Sequence, residues 1–310
     1  MKLAQIILPA LFAALLQGCS SQEKHIQKEL FVCDQNSKKV LLLKVERDWN
    51  DSSQVVWSWS ARESPDIPEH EKAWYDYLSD AKPVKRLSHL LIAGGTGGGV
   101  ALVRIADQKV VFHGYGGESP HTAELLPDGN IIVASSQDNR LRLFYDISNN
   151  SSYLDLQLPS PHGVVWDFKR NMLWAIGHDS LYSIAYPLDS SKPHLSITEA
   201  YALPSTEGHD LFPRKNGKTL FVTTKTSVYE FDPDMGVFSS IEPFSRLSEV
   251  KSISELSDHG QVAIVQAVYS WWNDTVMLFK ADENKRMYGA RFYKARWYTE
   301  NVFSYGNEVE

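Results

Sequence analysis

The sequence predicts an all-β fold, a six-bladed β-propeller in which the N- and C-terminal strands together close one blade. Three observations carry the prediction. Helical periodicity is nearly absent, and short runs rich in Val, Ile, Leu, Phe and Tyr alternate with Asp-Gly, Asn-Gly and similar turn signals. A pattern recurs about every 40 residues, the period of a four-stranded blade. Each end of the chain also carries strands that complete a blade only when joined with the other end, which removes the open sheet edge.

The chain opens with a short targeting pattern. Lys2 is followed by an apolar run over residues 3–16, too short to span a bilayer as a stable helix. Leu16-Gln17-Gly18-Cys19 has the form of a lipobox, so residues 1–18 are expected to be a cleaved signal peptide and Cys19 to carry lipid. Residues 19–28 then serve as a lipidated tether, and residues 29–310 form the propeller. This places the protein in the cell envelope, on the periplasmic side or the outer-membrane surface, touching the membrane through its lipid alone. With Cys19 lipidated, Cys33 is the remaining cysteine of the two, so no disulfide framework is expected. Cys33 ends the apolar run 30–33 and reads as a buried, inert thiol. The net charge of −7 gives no long-range attraction for nucleic acid, and a monomer is expected.

Three blades align directly. His121 begins a segment that turns at Asp128-Gly129 and continues through strands at 130–135, 140–145 and 153–158. His162 leads into 172–176, 180–185 and 195–203, and His209 leads through Asn216-Gly217 into 219–223, 227–231 and 238–243. A fourth copy starts at Lys251, turns near residues 258–260, and includes 261–265 and 275–279. Another blade takes 82–84, 89–93, 100–105 and 109–114. The closing blade takes its inner strand from 293–298 and its outer three from 30–34, 39–45 and 55–60. Residues 61–80, with Trp74, Tyr75 and Tyr77, have no place in a blade and read as an insertion containing a short helix. The run Gly94-Gly-Thr-Gly-Gly-Gly99 lacks the Lys-Ser/Thr of a phosphate loop and reads as a close backbone crossing.

First strands line the axis of a propeller, so His121, His162 and His209 are expected to converge. Three neutral imidazoles make a first shell for a divalent metal such as Mn or Zn. A single histidine in such a strand is more often a hydrogen-bonded core residue, but three at equivalent positions of a repeat point to a site. Lys82, Lys251, Lys294 and Arg296 bring cations to similar depth, with Glu207, Asp210 and Asp80 as compensating carboxylates. Lys251 and Arg296 are the candidates for catalytic work; Lys82, Glu207, Asp210, Lys294 and Trp271 are the candidates for binding a carbohydrate or small anionic ligand. Trp166 lies inside a first strand and reads as core. A metal-dependent lyase or hydrolase acting on a sugar or sugar acid is one functional expectation. A non-catalytic glycan- or protein-binding propeller is the other.

The blade openings Pro120-His121-Thr-Ala-Glu-Leu-Leu-Pro-Asp-Gly-Asn130, Pro161-His162-Gly-Val-Val-Trp-Asp167 and Glu207-Gly-His209-Asp210 resemble a family of uncharacterised six-bladed propeller lipoproteins of Bacteroidetes. That resemblance covers nearly the whole chain after the leader and implies the fold and an envelope location. The axial histidines are loosely similar to those of oligogalacturonate lyases, whose ion acidifies the proton beside a uronate carboxylate. Their Gln-x-x-His-x-His ligand cluster has no counterpart here.

Overall fold

The computed structural model describes residues 28–147, 152–188, 193–256, 260–281 and 284–306. The leader 1–18, Cys19 and turn residues 258–259 lie outside the described residues. Among the described residues, the strands form six four-stranded antiparallel sheets, one per blade of a propeller. The inner strands, in blade order 1 to 6, are Phe292–Trp297, Asp80–Val84, Pro120–Leu125, Gly163–Asp167, Leu211–Pro213 and Val250–Glu255. Phe292–Trp297 is buried along its whole length, whereas the outermost strand Ser196–Ala202 is exposed at nearly every position. The apolar runs legible in the sequence belong to second strands such as Ile131–Ser135 and Met172–Ile176, whereas the inner strands also bury Lys82, Glu124, Lys294 and Arg296.

The core is divided into layers between neighbouring blades. Leu43 and Trp49 of blade 1 pack with Val265 and Val276 of blade 6. Phe31 and Trp59 face Leu90 and Val103 of blade 2, and Leu141 of blade 3 packs with Trp166 and Ala175 of blade 4. Trp166 is therefore a core residue, as is Cys33, whose thiol burial pushes well above its usual pKa. Blade 1 closes the ring as expected: Phe31 pairs with Arg296 and Leu30 with Trp297.

This closure also fixes direction. Strand Glu29–Asp34 starts beside Trp297 on one face and ends beside Phe292 on the other. The chain therefore enters the propeller on the face opposite the one where inner strands begin.

Three details differ from the sequence reading. The insertion ends before Asp80, which belongs to the inner strand Asp80–Val84. Blade 6 acquires a fourth strand of two residues, Lys285–Arg286. After Trp297 the chain passes under the axis, and helix Val302–Tyr305 caps it, with Phe303 buried in the layer between blades 4 and 5.

The insertion carries a 3-10 helix, Glu69–Tyr75, that packs on the glycine run. A β-carbon on Gly95 would lie 2.0 Å from the Tyr77 carbonyl oxygen, and one on Gly97 2.5 Å from that of Trp74. The glycines are a packing seat, as the missing phosphate-loop signature implied.

Candidate functional site

At the face where inner strands begin, four loops share one backbone device. Ser119, Ser160, Glu207 and Glu249 have φ of 60°, 43°, 60° and 55°, and each precedes by two residues His121, His162, His209 and Lys251. The left-handed residue turns the chain sharply into the inner strand. Bulges then aim the following side chains. His121 is the extra residue between the pairs Pro120–Ser135 and Thr122–Ala134, and Lys251 stands likewise between Val250 and Ser252. In blade 1, Tyr293 and Lys294 together oppose Cys33. The irregularity lets Tyr293 reach up toward the histidines while Lys294 and Arg296 point to the axis below.

The three imidazoles meet. Ring centroids are 4.1 Å apart for His121 and His162, 4.9 Å for His162 and His209, and 5.6 Å for His121 and His209. The Tyr293 hydroxyl bridges two of them, at 2.9 Å from His121 Nδ1 and 3.0 Å from His209 Nε2. With a single proton it donates to one ring and accepts from the other, which fixes complementary tautomers. His162 Nδ1–H donates to the Ser160 carbonyl at 2.8 Å, so its Nε2 is the acceptor. Burial lowers the pKa of all three: His162 falls to about 4, and His121 and His209 lie well below the usual value, pushed further by His162 and by Lys251 and Lys294. All three are neutral at pH 7. Burial likewise raises the Tyr293 phenol, helped by Asp210 and Asp80.

A pocket of about 270 Å³ opens above this layer, lined by His162, His178, His209, Glu207, Lys225 and Lys251 among others. Its charges are paired at the rim, Glu207 with Lys225 at 2.9 Å and Lys251 with Glu249 at 3.1 Å. His121 packs behind the lining and Trp271 stands outside it. Trp271 is 47 % exposed on the same face, its indole held by Gln35 at 3.0 Å. Among the described residues, no three His, Cys, Asp or Glu side chains are arranged to hold one metal ion. In this arrangement Tyr293 takes a nitrogen of His121 and one of His209.

Beneath the histidines lies a closed ionic layer, and here the sequence reading needs correction. Arg296 is 1 % exposed and is bidentate to both Asp80 and Asp210, with four N···O distances of 2.7–2.9 Å. Lys294, equally buried, pairs with Asp210 at 2.8 Å, and Thr122 donates to Asp80. Lys82 pairs with Glu124 at 2.8 Å and donates to the Val164 carbonyl. Three cations meet three carboxylates. Burial pushes Asp80 and Asp210 up, but Arg296 and Lys294 more than offset it and hold both low. Arg296, Lys294, Lys82 and Asp210 thus have no access to a ligand in the pocket; they satisfy one another and close the channel. Glu207 and Lys251 do reach it.

Tyr293, Glu249 and His178 were not singled out from the sequence. Tyr293 occupies the position of the inner strand equivalent to the histidines, but the bulge that lifts it into the site leaves no sequence signature.

The fold is similar to that of a protein of unknown function from Bacteroides caccae (12 % identity, TM-score 0.57), over 88 % of this chain and 100 % of that one. A functionally unknown protein from Desulfotomaculum acetoxidans matches with 11 % identity and TM-score 0.49, over 84 % and 94 %. Hydrazine synthase from Kuenenia stuttgartiensis matches with 16 % identity and TM-score 0.49, over 68 % of this chain and 65 % of that one, so the chain spans less than two thirds of its length. No curated protein matches the sequence. The match that extends over residues 16–310 is to the Family of unknown function DUF6528, and the chain belongs to it.

Proposed function

We propose that this propeller is an envelope lipoprotein, anchored through Cys19, that captures a small hydroxylated or anionic solute of the sugar or sugar-acid class in its axial pocket. The observation that carries the reading is the pairing of a neutral His162, whose Nε2 accepts, with the Lys251 ammonium in one small pocket. A hydroxyl donates to the imidazole and a carboxylate meets the ammonium, displacing the exposed part of Glu249. The volume of about 270 Å³ sits at the lower end of ligand pockets and suits one ring, not an oligomer. Trp271, outside the lining, offers stacking surface only to a ligand that extends beyond the pocket.

Binding and turnover draw on the same groups. His162 is placed as a general base toward a substrate proton, and Lys251 stabilises the charge that develops. A second reading, a metal-dependent lyase or hydrolase, is favoured by one observation, the mutual contact of three neutral imidazoles. In that case His121, His162 and His209 would hold the ion once the Tyr293 bridge is released, and the ion would polarise a substrate oxygen.

The test is calorimetry against uronic acids, aldonic acids and neutral monosaccharides, beside elemental analysis of the same protein. Saturable binding of a sugar acid, lost in His162→Ala and Lys251→Ala, supports the first reading. One equivalent of a transition metal, lost in a folded His121→Ala/His209→Ala variant, selects the second. Neither binding nor metal would overturn both.

A further inference from the structure

We infer that the axial pocket is one of two adjoining subsites, and that the hairpin Tyr269–Trp272 is a stacking platform for a second, neutral sugar ring. The ligand is then an acidic disaccharide or a longer glycan, not a lone sugar acid, an inference that rests on reading the pocket as a sugar-acid site. The hairpin rises from blade 6 on the imidazole face, where Asn273 pairs with Phe292, the first residue of an inner strand. Its foot is tied to the pocket rim. Ala267 N–H donates to the Glu249 carbonyl at 2.9 Å, and the Gln266 side chain donates to the Ser248 carbonyl at 2.9 Å. Glu249 lines the pocket, so a ligand that leaves it past Glu249 next meets Val268 and Tyr269.

The hairpin displays aromatic surface. Val268, Tyr269 and Trp271 are all exposed along it, a contiguous apolar patch of the kind that marks a binding surface. At its tip Ser270 takes φ of 66°, where a two-residue hairpin usually has glycine or asparagine, so the surroundings hold that shape. Trp272 is the foundation. Tyr269 packs on it with ring centroids 4.9 Å apart, and the Arg291 guanidinium lies 5.2 Å from its ring. Trp271 is oriented separately. Its indole N–H donates to Gln35 Oε1 at 3.0 Å, and the Gln35 amide is itself set by donating to the Leu78 carbonyl at 3.1 Å. A bond from the indole N–H lies in the ring plane, so it fixes the ring without covering its faces. Rings already fixed lose little freedom when a ligand settles on them.

The surface suits a sugar. A pyranose packs its C–H face on an indole or phenol ring and keeps its hydroxyls at the edge, in water. Glu249 at the foot of the hairpin is a carboxylate, which disfavours a second acidic ring beside it. The acidic ring therefore meets Lys251 in the pocket, and its neutral neighbour lies on Tyr269 and Trp271. One subsite reads charge and the other an apolar ring face.

The ring closes within residues 29–297, so a soluble chain beginning at residue 20 keeps every described contact. Calorimetry compares methyl glucuronide and methyl galacturonide with disaccharides in which the same acids are β-linked to glucose. One disaccharide should bind about tenfold more tightly than its methyl glycoside. Trp271→Ala and Tyr269→Ala, both at exposed positions, should each reduce that advantage and leave the methyl glycoside unchanged, while His162→Ala weakens both ligands. Equal affinity for disaccharide and methyl glycoside overturns the platform and leaves the pocket standing, as does a Trp271→Ala/Tyr269→Ala variant that keeps the full advantage. Disaccharide binding that needs Trp271 but neither His162 nor Lys251 overturns the pocket reading instead, and the pairing of subsites with it. Binding of neither ligand overturns both.

Discussion

The Tyr293 hydroxyl lies 2.9 Å from His121 Nδ1 and uses its other hydrogen-bonding capacity on His209, so one phenol from blade 1 orders two imidazoles from blades 3 and 5. Removing it should leave one ring nitrogen without its donor and another without its acceptor. Tyr293→Phe should therefore cost about 1–3 kcal/mol in urea unfolding, the usual penalty for unsatisfied buried polar groups. It should also release the two rings to rotate, visible as line broadening of their NMR signals. An unchanged stability with unchanged histidine spectra would show that the bridge orders nothing.

The guanidinium of Arg296 joins Asp80 and Asp210, which come from blades 2 and 5 on different sides of the axis. Arg296→Met leaves two buried carboxylates with Lys294 as their main partner, and should cost about 3–5 kcal/mol. Arg296→Lys should recover little, because a single ammonium cannot grip two carboxylates in the bidentate manner. The double variant Asp80→Asn/Arg296→Met, which leaves Lys294 paired with Asp210, should be more stable than Arg296→Met alone. Chemical denaturation of the three proteins decides the matter, and a double variant weaker than Arg296→Met would sink the account.

Gly95 combines φ of 58° with a carbonyl where its β-carbon would go. Gly95→Ala should displace the insertion and cost about 1–3 kcal/mol, as overpacking does. Gly129 has open space around its β-carbon position, so Gly129→Ala should show only the smaller backbone cost. Thermal melts of the pair give the comparison; equal shifts would mean that the seat is not tight.

Much of this fold could be read in the sequence because a blade is a local unit. Its strands pair with neighbours a few residues away, as in 172–176 and 180–185, and the period repeats. Blade 1 was legible because its missing strand had to come from the other terminus. The convergence of His121, His162 and His209 was legible for the same reason, since equivalent positions meet on the axis. The ionic layer was not, because partners such as Asp80 and Arg296 are far apart in sequence and their meeting depends on depth along the axis. That depth is set by bulges at Tyr293–Lys294, His121 and Lys251, which shift a side chain without altering the pattern of apolar residues.

The neutrality of the three imidazoles makes stability depend on pH in a defined window. An unfolded chain takes up a proton on each histidine near pH 6.5. In the folded chain His162 does so only at about 4, and His121 and His209 also lie well below the usual value. Below pH 6.5 the unfolded state thus binds more protons than the folded one, so stability falls as the pH falls. Each histidine contributes at most about 1.4 kcal/mol per pH unit until its folded pKa is reached. Asp80 and Asp210, held low by Arg296 and Lys294, act in a separate window, since their unfolded counterparts titrate near 4. Urea midpoints should therefore be level from pH 8 to 7 and decline steeply from 6.5 to 5, before any carboxylate contributes. The variant His121→Gln/His162→Gln/His209→Gln should flatten that decline while leaving the fall below pH 4 in place. A parent protein whose midpoint is level from pH 7 to 5 would show that the imidazoles take up protons as freely in the folded chain as in the unfolded one.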